Sequence, residues 1–185
     1  MKSNIAYTQL GKALTKYGKY VIQQSKSNLT RQKKGGGALY NSLKQNLEDV
    51  KEIGNPYILN FFFEDYGNFV DKGVRGVNST YPETRAAMSP FQYGSGTGPK
   101  GGLTKGIDKW LRQKKFRWRD KLGRYVSYKS MRYLIVQKIY FQGLKASLFF
   151  TKPFEAGMDK YSKDITDGFV KDIDNNIELD NKIKF

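Results

Sequence analysis

The chain offers few side chains that could carry out catalysis. Its 185 residues include no His and no Cys, which excludes zinc fingers, Cys nucleophiles and Ser-His-Asp triads. A two-metal nuclease would need several carboxylates converging on a cleft, and Glu64-Asp65 follows a predicted strand. No Asp-x-Asp or Glu-x-Lys spacing occurs in that region, so we interpret its carboxylates as surface residues and expect no enzyme activity, metal or cofactor. The carboxylates concerned are Glu48, Asp49, Glu52, Glu64, Asp65 and Asp71.

A stretch that interleaves basic and aromatic residues, 109–132, is the best candidate for a binding surface. Lys and Arg neutralise phosphate groups, and aromatic rings stack on bases or pack beneath the charges. The pattern fits nucleic acid and an acidic protein surface equally well, and no sequence-reading motif such as a helix-turn-helix is visible. Its aromatic residues are Trp110, Phe116, Trp118, Tyr125 and Tyr128. The candidate contacts are Lys109, Arg112, Lys114, Lys115, Arg117, Arg119, Lys121 and Arg124, together with Arg31, Lys33 and Lys34 in a glycine-rich loop.

The net charge of +16 is unevenly distributed along the chain. Residues 1–47 carry +9 and residues 100–145 carry +12, whereas residues 48–99 carry −3 and residues 146–185 carry −2. Blocks this uneven are typical of a surface that faces nucleic acid or an acidic protein. No segment approaches about 18 consecutive apolar residues, and the N-terminus has no signal-peptide core. We therefore expect synthesis and use in a cytoplasm, away from membranes.

The elements that must position these residues follow from periodicity. Residues 5–24 predict an amphipathic helix capped by Ser3 or Asn4. Residues 38–53 fit a helix or a strand, with the extended form favoured, and residues 56–63 predict a strand with apolar residues on both faces.

Later in the chain, residues 76–106 are rich in Gly, Ser, Thr and Pro and predict a long loop. Helices are predicted over 105–115, over 131–142 with Ser130 as its cap, and over 154–177. The 131–142 helix is apolar nearly all round, which predicts burial, and Gly143 is expected to end it. On the last helix, Asp159, Asp164, Asp167, Asp172 and Asp174 are expected to face solvent or another subunit.

The order of elements predicts an α+β fold. A small antiparallel sheet would be flanked by an N-terminal helix and a long C-terminal helix. Residues 1–75 and 130–185 would form the core domain, and residues 76–129 an inserted basic arm. So small a sheet barely supports itself, which favours subunits that complete one another. The candidate interface residues are Phe61, Phe63, Tyr66, Phe69, Trp110 and Trp118.

Four segments, taken in order, resemble the neck or tail-completion proteins of tailed bacteriophages. They are Gly37-Ala38-Leu39-Tyr40-Asn41-Ser42-Leu43; Tyr66-Gly67-Asn68-Phe69-Val70-Asp71-Lys72-Gly73; Ile107-x-x-Trp110-Leu111 with the later Leu134-Ile135-Val136; and Phe149-Phe150-x-x-Pro153-Phe154-x-x-Gly157-Met158. In the fourth segment, Glu155-Ala156-Gly157 departs from the family's usual small-residue and Pro ending.

The resemblance implies a non-enzymatic virion protein. It would form a homo-oligomeric ring, sixfold or twelvefold, in the phage neck or tail after synthesis in the host cytoplasm. Its partners would be itself, portal or adaptor proteins, tail proteins, and the viral double-stranded DNA that passes through the channel. Two alternatives from the residues stay open: a non-specific nucleic-acid-binding protein, which the charge alone would explain, and a small nuclease that uses Glu64 and Asp65.

Overall fold

The structure, a computed structural model, describes residues 8–49, 57–77, 89–95, 101–115 and 117–183, without the side chains of Lys114 and of 179–183. Contacts divide the chain into two compact units, residues 1–67 with 148–185 and residues 68–147. The described elements are the helices α1 (Thr8–Arg31), α2 (Ala38–Ser42), α3 (Gly67–Lys72), α4 (Gly102–Lys114), α5 (Tyr128–Gln142) and α6 (Thr151–Ile183), and the strands β1 (Lys44–Asp49) and β2 (Tyr57–Phe62).

These elements confirm the predicted α+β fold, with a small antiparallel sheet, an N-terminal helix and a long C-terminal helix. Helix α6 is longer at both ends than the predicted 154–177. The ambiguity over 38–53 resolves into a short helix followed by a strand. None of the described helices is long and apolar enough to cross a membrane.

In the first unit, α1 packs against both the sheet and α6. Strands β1 and β2 pair antiparallel, with Lys44 opposite Phe62 and Asp49 opposite Tyr57. Glycines make the close approach possible. A Cβ at Gly18 would lie 2.6 Å from the Gln45 side chain on the sheet, and one at Gly157 on α6 would lie 2.9 Å from the Tyr17 ring on α1. Larger side chains at these positions would separate the layers.

Aromatic rings fill the centre of the first unit. The Tyr17 ring lies 6.2 Å from that of Phe61 and 5.8 Å from that of Phe154, both at steep angles. The Phe61 and Phe150 rings lie 5.4 Å apart, also nearly perpendicular. Edge-to-face contacts of this kind are favoured by the ring quadrupoles. Phe149 beside them is fully buried, so the predicted strand 56–63 contributes one of its faces to this core.

Asp172 on α6 corrects one prediction. It was expected to face solvent or another subunit, but it is only 1% exposed. Its two carboxylate oxygens accept hydrogen bonds from the backbone N–H groups of Gln9, at 3.0 Å, and Leu10, at 2.8 Å. The first N–H groups of a helix have no partner inside the helix, so α6 supplies a cap for α1 from the far end of the sequence. The predicted caps Ser3 and Asn4 lie outside the described residues.

The second unit is built around α4, α5 and the segments that flank them. The backbone of Val74 exchanges two hydrogen bonds with Leu144, at 3.0 and 2.8 Å, and the Val77 N–H donates to the Tyr140 carbonyl at 3.0 Å. Gly76 lies so close to the end of α5 that a Cβ at Gly76 would collide with the Phe141 carbonyl. Gly143 ends α5 with φ +78° and donates its N–H to the Ile139 carbonyl, as predicted.

Helix α5 departs from prediction in two respects. Its cap is Ser127 rather than Ser130: the Ser127 hydroxyl accepts from the Ser130 N–H at 3.1 Å. The helix is also not buried, since Met131 is its one buried residue. It packs on α4 along one side, and the described residues supply no second layer for its other apolar side chains. The exposed ones include Tyr133, Leu134, Tyr140 and Phe141.

The predicted loop 76–106 and insertion 76–129 lie within the second unit. Helix α4 begins at Gly102, so the last part of the predicted loop is helical, with Gly101 as a left-handed cap at φ 73°. Residues 78–88 and 96–100 of the predicted loop lie outside the described part. The second unit also extends beyond the predicted insertion at both ends, and it includes α5.

Candidate nucleic-acid interface

Helices α4 and α5 form the base of the candidate site. Leu111 on α4 and Met131 on α5 are buried and supply its apolar floor. Asp108 on α4 joins the two helices: its carboxylate lies 2.8 Å from Arg132 on α5, and its carbonyl accepts from the Tyr128 hydroxyl at 2.7 Å. The same carboxylate bonds Arg112 one turn further along α4, at 3.0 Å.

These contacts bias the ionisation of the groups involved. Hydrogen bonding from Arg132, supported by the charge of Arg112, holds the pKa of Asp108 below its ordinary value. The Tyr128 hydroxyl and then the charge of Asp108 raise the pKa of Arg112 further. Asp108 therefore stays a carboxylate and Arg112 a cation at neutral pH, which keeps the Asp108–Arg132 contact between the helices ion-paired.

Residues 117–126 form a hairpin-like turn. The Val126 N–H donates to the Trp118 carbonyl and the Asp120 N–H to the Arg124 carbonyl, both at 2.9 Å. Asp120 closes the turn, because its Oδ1 accepts from the N–H groups of Leu122 and Arg124 at 2.9 Å each. A side chain that accepts from the backbone in this way is typical of Asp in turns. The turn therefore holds its flanking residues in a defined arrangement.

Tyr125 on this turn contacts two arginines. The Arg119 guanidinium lies 4.4 Å from the ring centroid and also donates to the Tyr125 hydroxyl at 2.7 Å. The Arg117 guanidinium lies 5.9 Å from the same centroid. A cation above an aromatic face is attracted by the ring quadrupole. These contacts orient the ring, and it nevertheless remains 60% exposed.

An open groove of about 540 Å³ lies between α4, the turn and the start of α5. Its floor is apolar and its rim carries cations and two tyrosines, and none of the described residues that line it is acidic. Its lining residues are Leu111, Arg112, Lys115, Arg117, Tyr125, Val126, Tyr128 and Met131. We call it the α4–turn groove. It brings together three of the predicted contact residues, Arg112, Lys115 and Arg117.

A second, smaller hollow of about 490 Å³ lies on the other part of α4 and contains another predicted residue, Lys109. Asp108 lines it beside Arg112 and Arg132, so part of its positive charge is neutralised. That carboxylate makes the hollow a weaker anion site than the α4–turn groove.

The other predicted contacts are distributed more widely. Arg119, Lys121 and Arg124 lie on the turn, and Arg124 pairs with Asp120 at 3.1 Å. The side chain of Lys114 is outside the described residues. Arg31 ends α1, and Lys33 lies in the turn after it with φ 58°. Arg31, Lys33 and Lys34 all belong to the first unit.

The candidate interface residues fall into two groups. Phe61 and Phe63 contact aromatic side chains of their own unit. The other four, Tyr66, Phe69, Trp110 and Trp118, are exposed large side chains. Their role in subunit contacts stays a prediction.

The carboxylates considered for a nuclease do not form a metal site in the described part of the chain, where no group of three or more potential ligands occurs. Glu48 and Asp49 lie on β1, and Glu64 and Asp65 follow β2. Asp71 on α3 is only 3% exposed, so the expectation that it is a surface residue is wrong. Glu52 is outside the described residues.

Sequence reasoning missed the organising carboxylates Asp108 and Asp120. The spacing of Asp108 and Arg112, one helical turn apart, is a signal for the first. The sequence Asp120-Lys121-Leu122-Gly123 is a turn signal for the second. The pairing of Asp108 with Arg132 had no such local signal, because the two residues are 24 positions apart.

Comparisons with protein-family models, with curated proteins and with solved structures found no match to this chain.

Proposed function

We propose that this chain is a structural, non-enzymatic virion protein that forms a homo-oligomeric ring in a phage neck or tail. In this role it would serve head–tail connection or tail completion around the DNA channel. The resemblance of its four sequence segments to that family suggests the role, and the uncovered face of the sheet is the observation that carries it.

That face carries two exposed apolar side chains among the polar residues Lys44, Asn46, Glu48 and Asn60, and nothing in the described residues covers it. Alternate residues of β1 and β2 face α1, and the others point away from it. Among the latter, Ile58 and Phe62 on β2 are 46% and 51% exposed. They lie on either side of Asn60 on the same face, and large apolar side chains exposed together are typical of a surface that packs against a partner. A two-stranded sheet also leaves a hydrogen-bonding edge on each strand, so a second copy can extend the sheet and cover these side chains.

The second unit supports the same proposal. The exposed side chains of α5, Tyr133 and Leu134 among them, form a further apolar surface. The basic turn and the α4–turn groove supply positive charge for movable, salt-sensitive contacts with DNA. Portal, adaptor and tail proteins are the proposed neighbours of the ring.

The test is the mass of the assembly, measured by native mass spectrometry with and without portal and tail proteins. The wild-type chain is expected to give rings, and the variant Ile58→Lys/Phe62→Lys is expected to give monomers with an unchanged far-UV circular dichroism spectrum. Asn175→Lys, which adds a lysine at an exposed position of α6, is the control and should assemble normally. Assembly of the double-lysine variant at wild-type strength would refute the role of this face.

The second candidate function is non-specific nucleic-acid binding by a free protein. It is favoured by the α4–turn groove, whose described lining residues include no Asp or Glu. A chain that stays monomeric beside portal and tail proteins, and binds DNA tightly at moderate salt, would establish this function instead of the ring.

A further inference from the structure

We propose that the α4–turn groove binds unpaired nucleotides, with a base stacked on Tyr125 or Tyr128 and the phosphates on Lys115 and Arg117. The site would therefore prefer single-stranded nucleic acid, or a locally opened duplex, over intact duplex. The inference needs only one copy of the chain, so it stands or falls separately from ring assembly.

The first argument is the composition of the groove. Basic residues on the rim meet phosphate groups, but the floor is made of Leu111, Val126 and Met131. An apolar floor offers nothing to a phosphate backbone, and it suits the flat face of a base. The volume of about 540 Å³ lies in the range of small-ligand sites, the scale of nucleotides rather than of a double helix.

The second argument is the state of the two tyrosines. Arg119 holds Tyr125 through ring and hydroxyl contacts, and Tyr128 is held by its hydrogen bond to the Asp108 carbonyl. Both rings line the groove while remaining exposed. Aromatic rings that are fixed before binding lose little entropy when a base stacks on them.

The third argument separates single strands from duplex. In a duplex the bases are stacked on each other and the outer surface is phosphate and sugar, so the tyrosines would have no base to stack on. In a single strand each base presents a free face, and stacking on aromatic side chains does not depend on the sequence. The lack of a sequence-reading motif agrees with such binding.

The experiment measures the binding of a fluorescently labelled 20-nucleotide oligothymidine, and of a duplex of equal length, to the full chain over a range of salt concentrations. The single strand is expected to bind more tightly than the duplex at every salt concentration. Tyr125→Ala is expected to weaken single-strand binding roughly 5- to 150-fold, the effect of losing one stacked base, without changing the salt dependence. Tyr125→Trp, which keeps a stacking ring, is expected to restore the affinity.

Two further variants separate stacking from charge. Lys115→Gln/Arg117→Gln is expected to reduce the slope of log affinity against log salt by about 1.4, as for two lost phosphate contacts on a single strand. Leu122→Ala, which truncates an exposed side chain of the turn outside the groove lining, is the control and should bind as wild type. Far-UV circular dichroism of each variant checks that the helices are retained.

Two results would overturn the proposal. One is duplex binding at least as tight as single-strand binding together with no effect of Tyr125→Ala. The other is displacement of the oligonucleotide by a short polyglutamate peptide at lower concentration than by unlabelled oligothymidine, which would assign the groove to an acidic protein segment.

Discussion

Replacement of Asp172 tests whether α6 holds the start of α1. The residue is almost completely buried, and its carboxylate accepts from two backbone N–H groups in the first turn of α1. Asp172→Ala leaves both donors without an acceptor in a place that water does not reach easily. Asp172→Asn keeps one acceptor oxygen, removes the charge, and turns an amide NH₂ towards a donor.

The magnitude follows from three effects. Loss of a side-chain cap costs about 1 to 2 kcal/mol. Loss of a negative charge beside the positive end of a partly buried helix costs up to about 2 kcal/mol. Removal of the carboxylate also ends the cost of burying it, which offsets part of this loss. We expect Asp172→Ala to lower the free energy of unfolding by about 3 kcal/mol and Asp172→Asn by about 1 to 2 kcal/mol. For a chain of this length, 3 kcal/mol corresponds to roughly 6 to 12 °C in Tm.

The assay is urea and thermal unfolding followed by far-UV circular dichroism, which reports on the long helices. Asp174→Ala is the control, because Asp174 is exposed two positions along the same helix and should change stability by less than about 0.5 kcal/mol. If Asp172→Ala is no less stable than Asp174→Ala, the desolvation of the carboxylate cancels its hydrogen bonds and the reasoning is refuted.

Three further predictions concern burial, backbone approach and the Asp108 contact. Burial raises the pKa of Tyr17 from 10.0 to about 12, so the folded state favours the neutral phenol; this stabilisation, up to about 3 kcal/mol, is present below pH 10 and is lost as the pH rises towards 12. In urea titrations between pH 10 and pH 12, Tyr17→Phe should not show this loss in the free energy of unfolding. An equal loss in Tyr17→Phe and in the wild type would contradict the prediction. Gly76→Ala should destabilise the second unit by about 1 to 3 kcal/mol, the cost of overpacking. Unfolding is followed by the fluorescence of the chain's two tryptophans, Trp110 and Trp118. Gly106→Ala is the control: a Cβ at Gly106 meets open space, so this variant should be neutral or stabilising. The pKa of Asp108 is lowered from 3.8, so the contacts of its carboxylate stabilise the fold above pH 3.8 and are lost as the pH falls through the lowered pKa. In Asp108→Asn, the tryptophan fluorescence should therefore change less between neutral and acidic pH than in the wild type. An acid transition identical to that of the wild type would show that Asp108 plays no part in it.

Local patterns predicted most helices and the strand β2 of this chain. Apolar spacing indicated α1, α4 and α6, and the aromatic run after Pro56 indicated β2, because these signals depend on residues within a few turns of each other. Gly143 ended α5 where it was expected, since its φ is positive and glycine adopts a positive φ without strain.

Features that depend on distant parts of the chain could not be predicted in this way. The role of Asp172 requires the first turn of α1 to lie beside α6, and no local pattern shows that. Two glycines, Gly157 and Gly168, lie on the same face of α6 as Asp172, and a Cβ at Gly168 would lie 3.1 Å from the Gln9 backbone. The contact face of α6 thus includes small and polar residues beside aromatic ones such as Phe154, whose ring lies 5.8 Å from that of Tyr17. Apolar periodicity indicates Phe154 but not the glycines or Asp172, and it also points to Met158, which is exposed.

For helix α5, the local pattern itself gave a wrong prediction. Its composition predicted burial, but its tyrosines and Leu134 are exposed, because among the described helices and strands α4 is the one that packs along it. An apolar helix in a chain with too few layers to cover it has the composition of a core helix. Among the described residues no second element covers these side chains, and the proposed contact with a second copy would cover them as it would cover Ile58 and Phe62 on the sheet.

The groove and the core place different demands on the chain. In the first unit, the aromatic rings and Asp172 are buried, and a change there alters stability. In the second unit, the side chains that would contact a ligand are exposed, and they are held by Asp108 and Asp120 rather than by deep packing. Substitutions at Lys115, Arg117 or Tyr125 should therefore change binding much more than folding, because exposed side chains contribute little to stability. That separation is what makes the groove variants a clean test of function in the intact protein.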